Sequence, residues 1–265
     1  MRVALVSLDP VWENKGESRT RFASFMKRAQ EDGVDLVVFP EMTLTGFSMA
    51  ADRIAESPDT AESLLWFQNQ AKTAAMGVIA GYVQRASDGR GRNTAVFIDG
   101  RSGGETLASY TKVHPFSMSD EQVHYVGGNE LGVCSWESVS FGLSICYDLR
   151  FPELYRAMSR SCEVLVNIAS WPTARALHWY TLLRARAIEN QAFVVGVNRS
   201  GTDPAGQEHE LSSIVFDPLG EEVSPLISDG CYQVCEIDAA VARRVRSEFA
   251  VQSDRKDALY AQWYK

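Results

Sequence analysis

Histidine is scarce in this 265-residue chain: there are four, none with a second His or Cys at ligand spacing, so no zinc pattern is present and no metal is expected. The five cysteines, at 134, 146, 162, 231 and 235, are odd in number and scattered. They form no disulfide framework, and reduced thiols are expected. Cys231 and Cys235 fall in CYQVCEI, which reads as a strand, and four steps of ~3.3 Å set them about 13 Å apart, beyond the ~7 Å Cα limit for a bridge. Basic charge is also short, with 26 Lys and Arg against 34 Asp and Glu and a formal net charge of -8. That balance argues against a surface for nucleic acid or anionic membrane, both of which need clustered cations. No apolar run reaches the ~18 residues of a membrane-spanning helix, and the start, MRVALVSLDPVW, lacks a charged region followed by a long apolar one. Low-complexity tracts and solenoid-period repeats are missing as well. A cytoplasmic protein with a small-molecule or protein partner is the expectation.

What is present is 45% hydrophobic, enough to bury the core of one large α/β domain spanning 1–265. RVALVSL at 2–8 reads as a buried strand, and Phe22, Phe25, Met26 and Ala29 recur at helical spacing within 18–31. VDLVVFP then supplies a second strand, which makes a βαβ unit with a right-handed crossover and functional groups at the strands' carboxyl ends. A helix over 59–76 and the strand GVIAGYV at 77–83 follow. TAVFID, TLASYTK and ESVSFGLSI come without helices between them and predict antiparallel pairing in a mixed sheet. Helix 152–161, strand EVLVNIA, helix 174–190 and strand AFVVGVN restore the βαβ order. SSIVFDPLG, EEVSPLI and CYQVCEI read as a second set of hairpin-like strands. The element order predicts two sheets facing each other with helices outside. The tail over 239–265 begins helical and ends in Tyr260, Trp263 and Tyr264, a docking segment for its own domain or a second subunit.

The stretch FGLSICYDLRFPE at 141–153 carries an alternating strand into a helix start, with Cys146 at the corner. A thiol there is displayed, and the following N–H groups, that of Tyr147 first, can face a developing negative charge. A buried structural cysteine is the alternative. Glu41 follows LVVFP and Lys112 follows LASYT, so a carboxylate, an ammonium and a thiol each end an apolar strand. If the sheet is parallel there, they meet at one rim. Glu41 could take the thiol proton and return it to a leaving amine, and Lys112 could hold an oxyanion. Taken singly, each would be read as an ordinary turn residue.

The combination is more specific. FPEM at 39–42, YTKVHPF at 110–116 and ICYDLRFPE at 145–153 resemble the three motifs of the nitrilase superfamily of carbon–nitrogen hydrolases. IASWPTAR at 168–175, LLRARAIENQAFVVGVNRSG at 182–201 and RRVRSEFAVQSDRKDALY at 243–260 follow in family order. Two departures stand out: Ala250 in place of a proline, and HELSS in place of a YGHS-like segment.

The resemblance implies a four-layer α/β/β/α sandwich, usually dimeric, that needs no cofactor. It implies catalytic Glu41, Lys112 and Cys146, with Glu121 as a second glutamate preferred over Glu130. Its omega-amidase branch looks most similar, implying an amidase for omega-amides such as α-ketoglutaramate, working through a cysteine thioester. N-carbamoyl compounds, nitriles and a modified glutathione are alternative substrates for the same residues, and a non-catalytic binding module is the alternative from another class. Arg150 is a candidate for a substrate carboxylate, although a pair with Asp148 or Glu153 is the preferred reading. Trp171 is either a pocket wall or a packed loop aromatic, and Tyr125 is a further candidate substrate contact. Arg184, Arg186 and Glu189 read as ion pairs on one helix. His178 would be needed by a cysteine–histidine hydrolase, but reads as a helix residue, and GLSIC does not fit a serine nucleophile elbow at Ser144.

Overall fold

The computed structural model describes residues 1–263, so Tyr264 of the aromatic tail lies outside the described residues. In chain order the elements are β1 (Arg2–Val6), α1 (Lys15–Glu31), β2 (Leu36–Val38), α2 (Ala51–Ile54), α3 (Glu62–Ala74), β3 (Gly77–Arg85), β4 (Gly91–Asp99) and β5 (Glu105–Thr111). Then come α4 (Glu121–His124), β6 (Gly132–Trp136), β7 (Val139–Ile145), α5 (Pro152–Met158), β8 (Val164–Ala169), α6 (Ala176–Asn190) and β9 (Phe193–Asn198). β10 (Gly201–Thr202), β11 (Glu208–His209), β12 (Ile214–Phe216), β13 (Ile227–Asp229), β14 (Tyr232–Glu236), α7 (Ala239–Glu248) and α8 (Asp257–Trp263) complete it.

Two mixed sheets form. One runs β13-β14-β1-β2-β3-β4-β5, the other β12-β9-β8-β7-β6, and β10 and β11 make a separate small hairpin. β1, β2 and β3 are parallel, as are β7, β8 and β9, and antiparallel strands flank each parallel centre. The helices between parallel strands supply the crossovers that the sequence order predicts. Asn14 caps α1 by accepting from Glu17 N, and Phe22, Met26 and Ala29 make its buried stripe. Pro152 opens α5, where its missing N–H has no cost.

The sheets face each other through Phe97 of β4, whose ring lies 5.0 Å from Phe141 of β7 and 5.6 Å from Trp136 of β6. α1 and α3 cover the outer face of the first sheet, with Phe22 edge-on to Phe39 at 4.6 Å. α5 and α6 cover the second, where a side chain added at Gly196 would strike Leu183. The result is the four-layer α/β/β/α sandwich. Among the described residues no helix is long and apolar enough to cross a membrane.

The hairpin set after β12 differs from expectation. EEVSPLI at 221–227 is not a strand. It makes one bridge, Glu222 to Phe216, and pairing resumes only at Ile227, because Pro225 has no N–H to give a ladder. Cys231 lies in the turn before β14, not in the strand, and all five cysteines are free thiols. The tail docks on its own chain through α7. Ala242 and Val245 are buried there, and Arg246 donates to the Cys162, Asn190 and Gln191 carbonyls.

Candidate active site

Glu41, Lys112 and Cys146 do end three strands, but not at one sheet's rim. β2 and β5 belong to the first sheet and β7 to the second, so the thiol meets the other two across the sandwich. Glu41 is set by a tight backbone arrangement. Thr43 Oγ1 donates to the Pro40 carbonyl and accepts from Gly81 N, while Thr43 N bonds the Gly81 carbonyl. A side chain on Gly81 would come within 2.7 Å of Met42 N, so only glycine lets β3 run this close beneath Glu41. Cys146 sits at φ 47°, a left-handed backbone that is uncommon for a residue with a side chain. The strain is held by Asp148, fully buried. One of its oxygens accepts from Ile145 N (3.0 Å) and Tyr110 OH (2.7 Å), the other from His114 N (3.0 Å) and His114 Nδ1 (2.8 Å).

Lys112 is 1% exposed and donates from Nζ to Glu41 Oε1 (3.2 Å) and to Glu121 Oε1 and Oε2 (3.1 and 2.8 Å). Asn93 Nδ2 spans the two carboxylates, 2.6 Å from Glu41 and 3.2 Å from Glu121, and Ser170 N donates to the other oxygen of Glu41. Glu121, also fully buried, is fixed by Phe116 N. Glu130 is exposed and takes no part. Burial pushes the Glu41 carboxyl up; the Lys112 charge opposes this and Glu121 adds to it. Burial also raises the Cys146 thiol well above its ordinary value, helped by the Glu41 charge and opposed by Lys112. For Lys112 burial works against the charged form, but Glu41 and Glu121 outweigh it, and the ammonium is held charged. The site therefore sets a thiol that burial holds protonated beside a carboxyl of raised proton affinity, a pairing suited to proton transfer between the two.

The thiol opens into a cavity of about 550 Å³, walled by Trp12, Phe47, Met49, Phe116, Trp171 and Pro172 among others. Lys112, Tyr147, Arg150 and Trp171 reach that wall. Tyr125 does not. It is 1% exposed and its hydroxyl donates to the Ser48 carbonyl from behind the lining, because Gly91 leaves room for its ring in the core. Arg150 pairs with neither Asp148, whose oxygens are already taken, nor Glu153; its guanidinium lies 4.8 Å over the Trp171 ring. Trp171 is thus both packed and a pocket wall, 4% exposed. His178 is exposed on α6, with Nδ1 3.2 Å from Arg150 Nη2. Ser144 is buried on the far side of β7, bonded to Tyr155 OH at 2.6 Å. Arg186 does pair with Glu189 at 2.9 Å and also holds the Leu149 carbonyl, whereas Arg184 stacks over Phe216 instead. Among the described residues no group of three or more His, Cys, Asp or Glu is placed to hold a metal ion.

A family model described as Carbon-nitrogen hydrolase matches residues 2–247. This chain is a carbon–nitrogen hydrolase. Over 224 residues, 83% of either chain, it is 35% identical to the omega-amidase YafV of Yersinia enterocolitica. It is 32% identical over 248 residues to the 2-oxoglutaramate amidase of Bacillus subtilis, covering 93% of this chain and 94% of that one. Among solved structures, a CN-hydrolase superfamily protein of Xanthomonas campestris, with an arsenic adduct in its active site, superimposes with a TM-score of 0.87. It is 29% identical and 97% of each chain is covered.

Several residues around this candidate site carry little signal of their place in the sequence alone. Asn93 lies mid-strand in β4 and reads as an ordinary polar residue; only the sheet brings it between Glu41 and Glu121. Ser170 is 129 residues from the carboxylate it serves. Asp148 was legible as part of the corner, but its partners come from β5 and the loop after it. Arg175 carried the weakest signal, a turn residue before α6 that reaches the cavity.

Proposed function

We propose that the hydrolase is an omega-amidase, cleaving the terminal C–N bond of a small dicarboxylic or 2-oxo acid monoamide and releasing ammonia. The observation that carries this is the buried Glu41–Lys112–Glu121 cluster sharing one cavity with the strained Cys146, in a chain 35% identical to an omega-amidase. Cys146 attacks the amide carbon while its proton passes to Glu41. The tetrahedral oxyanion is held by Lys112 and the Tyr147 N–H, and Glu121 keeps Lys112 charged and aimed. The C–N bond breaks as Glu41 returns the proton to the amine, leaving a thioester on Cys146. Water then attacks with Glu41 as base, and the departing thiolate recovers its proton. Arg150 and Trp171 face the acyl portion, and no metal or cofactor takes part.

The reading covers 1–265 as one catalytic domain with 239–265 as a docking tail. The free thiols support a cytoplasmic setting. A homodimer is supported by exposed Leu177, Phe249 and Trp263. Ammonia release from α-ketoglutaramate and from carbamoyl and nitrile analogues, with mass spectrometry of Cys146, tests the activity. An acyl adduct and turnover lost in Cys146→Ala are expected. A parent enzyme that hydrolyses only carbamoyl amines would refute it.

A further inference from the structure

Two arginines on the cavity wall have no carboxylate partner among the described residues, in a chain of net charge -8. Arg150 lies over Trp171, and Arg175 lies 5.6 Å over the Phe116 ring. Trp171 joins them, because its Nε1 donates to the Arg175 carbonyl at 2.8 Å while its ring carries Arg150. Phe116 in turn packs 5.0 Å from Tyr147, next to the thiol, and its N–H anchors Glu121. Both guanidinium groups therefore stand on the wall that begins at Cys146. Aromatic seats hold a guanidinium in place without neutralising it, so its N–H donors remain available.

The remaining charged groups of the wall are already engaged. Glu13 binds Ser48 and Arg53, Asp203 accepts from Ala205 N and Gln207 N, and Lys112 is committed to the glutamates. His209 is buried beside Arg199, and burial and that charge hold its pKa down, so it adds no further cation at neutral pH. Among the charged side chains of the wall, Arg150 and Arg175 are thus the cations with no carboxylate partner among the described residues.

We propose that Arg175 is a specificity-determining residue that completes, with Arg150, a two-cation fork for the anionic end of the substrate. The inference rests on the amidase reading and deepens it, since it restricts the substrate to amides with a carboxylate at the far end. Two planar guanidiniums meet a carboxylate with parallel N–H donors, a match that a neutral alkyl end cannot make.

The test compares glutaramate with valeramide, a neutral amide of the same chain length, in the parent enzyme and in Arg175→Gln, Arg175→Lys and Arg150→Gln. The parent prefers glutaramate. Arg175→Gln lowers kcat/KM for glutaramate roughly 10- to 100-fold, chiefly through KM, and leaves valeramide within about threefold. Arg175→Lys recovers part of the loss. Equal loss on both amides would mean that Arg175 merely supports the fold, and a parent indifferent to the carboxylate would equally overturn the fork. A parent that releases ammonia from no amide and never acylates Cys146 fails at the amidase reading itself, a distinguishable result.

Discussion

Replacing Asn93 by Asp is a sharp probe of the charge arrangement because it changes one atom's chemistry and almost no volume. Asn93 is 1% exposed, and its Nδ2 lies 2.6 Å from Glu41 Oε1 and 3.2 Å from Glu121 Oε1. The substitution turns a donor shared by two carboxylates into a third carboxylate beside one ammonium. At ~3 Å and an effective dielectric of ~20, each like-charge contact costs about 5 kcal/mol. One pKa unit corresponds to about 1.4 kcal/mol, so the cluster binds a proton near neutral pH sooner than carry the extra charge. That proton is shared with Glu41 and removes it as a base in part of the population. The acid limb of kcat/KM should rise by at least about one pH unit, with activity near pH 7 falling roughly tenfold or more. The introduced group has a folded-state pKa above its unfolded value, so its relative stability is greatest at low pH and is lost as pH rises through the folded pKa. Thermal melts should accordingly show a larger deficit at about pH 8 than at about pH 6. Asn93→Ala, which removes the donor without adding charge, should destabilise the protein while moving the acid limb less. An Asp variant with the parent's pH profile and melting temperature would refute the reasoning.

The raised Glu41 carboxyl predicts an acid limb of kcat/KM above the usual carboxylate range of ~4, and the raised thiol predicts alkylation of Cys146 by iodoacetamide that stays slow even where an ordinary thiol, with its pKa of ~8.5, has ionised. Rapid neutral-pH alkylation would contradict the resting thiol. Asp148→Asn sets an amide N–H₂ against two of the four donors that Asp148 now accepts, costing roughly 2–4 kcal/mol and lowering Tm by about 5–15 °C; a calorimetric shift below about 2 °C would count against it. Gly81→Ala drives a methyl toward Met42 N and should displace Glu41, with kcat falling further than the roughly 1–3 kcal/mol stability loss accounts for, measured by ammonia release at a temperature where the variant is folded.

Much of the framework was legible because its signals are local. Strand and helix periods from Arg2 to Asn198 specified two βαβ blocks, and three motif residues each followed an apolar run. The errors arose where a local pattern met a non-local requirement. Apolar alternation at 221–227 could not outweigh the missing donor at Pro225, and Tyr125 was drawn into the core by the room at Gly91. Arg150 looked paired because acids adjoin it in sequence. In the folded chain Asp148 turns inward to four donors, and Arg150 turns to Trp171.

The sequence by itself determined the order of strands and helices, since hydrophobic period depends on near neighbours, and its three ordered motifs marked Glu41, Lys112 and Cys146 as the candidate reactive groups through their resemblance to a family. Only the tertiary structure decided that Cys146 would face Glu41 and Lys112 from the opposite sheet, that Asn93 and Ser170 would complete the carboxylate's partners, and that Arg150 and Arg175 would share a wall. Those contacts join residues tens to more than a hundred positions apart, where side-chain burial and hydrogen-bond satisfaction are set by packing between sheets and leave no periodic trace along the chain.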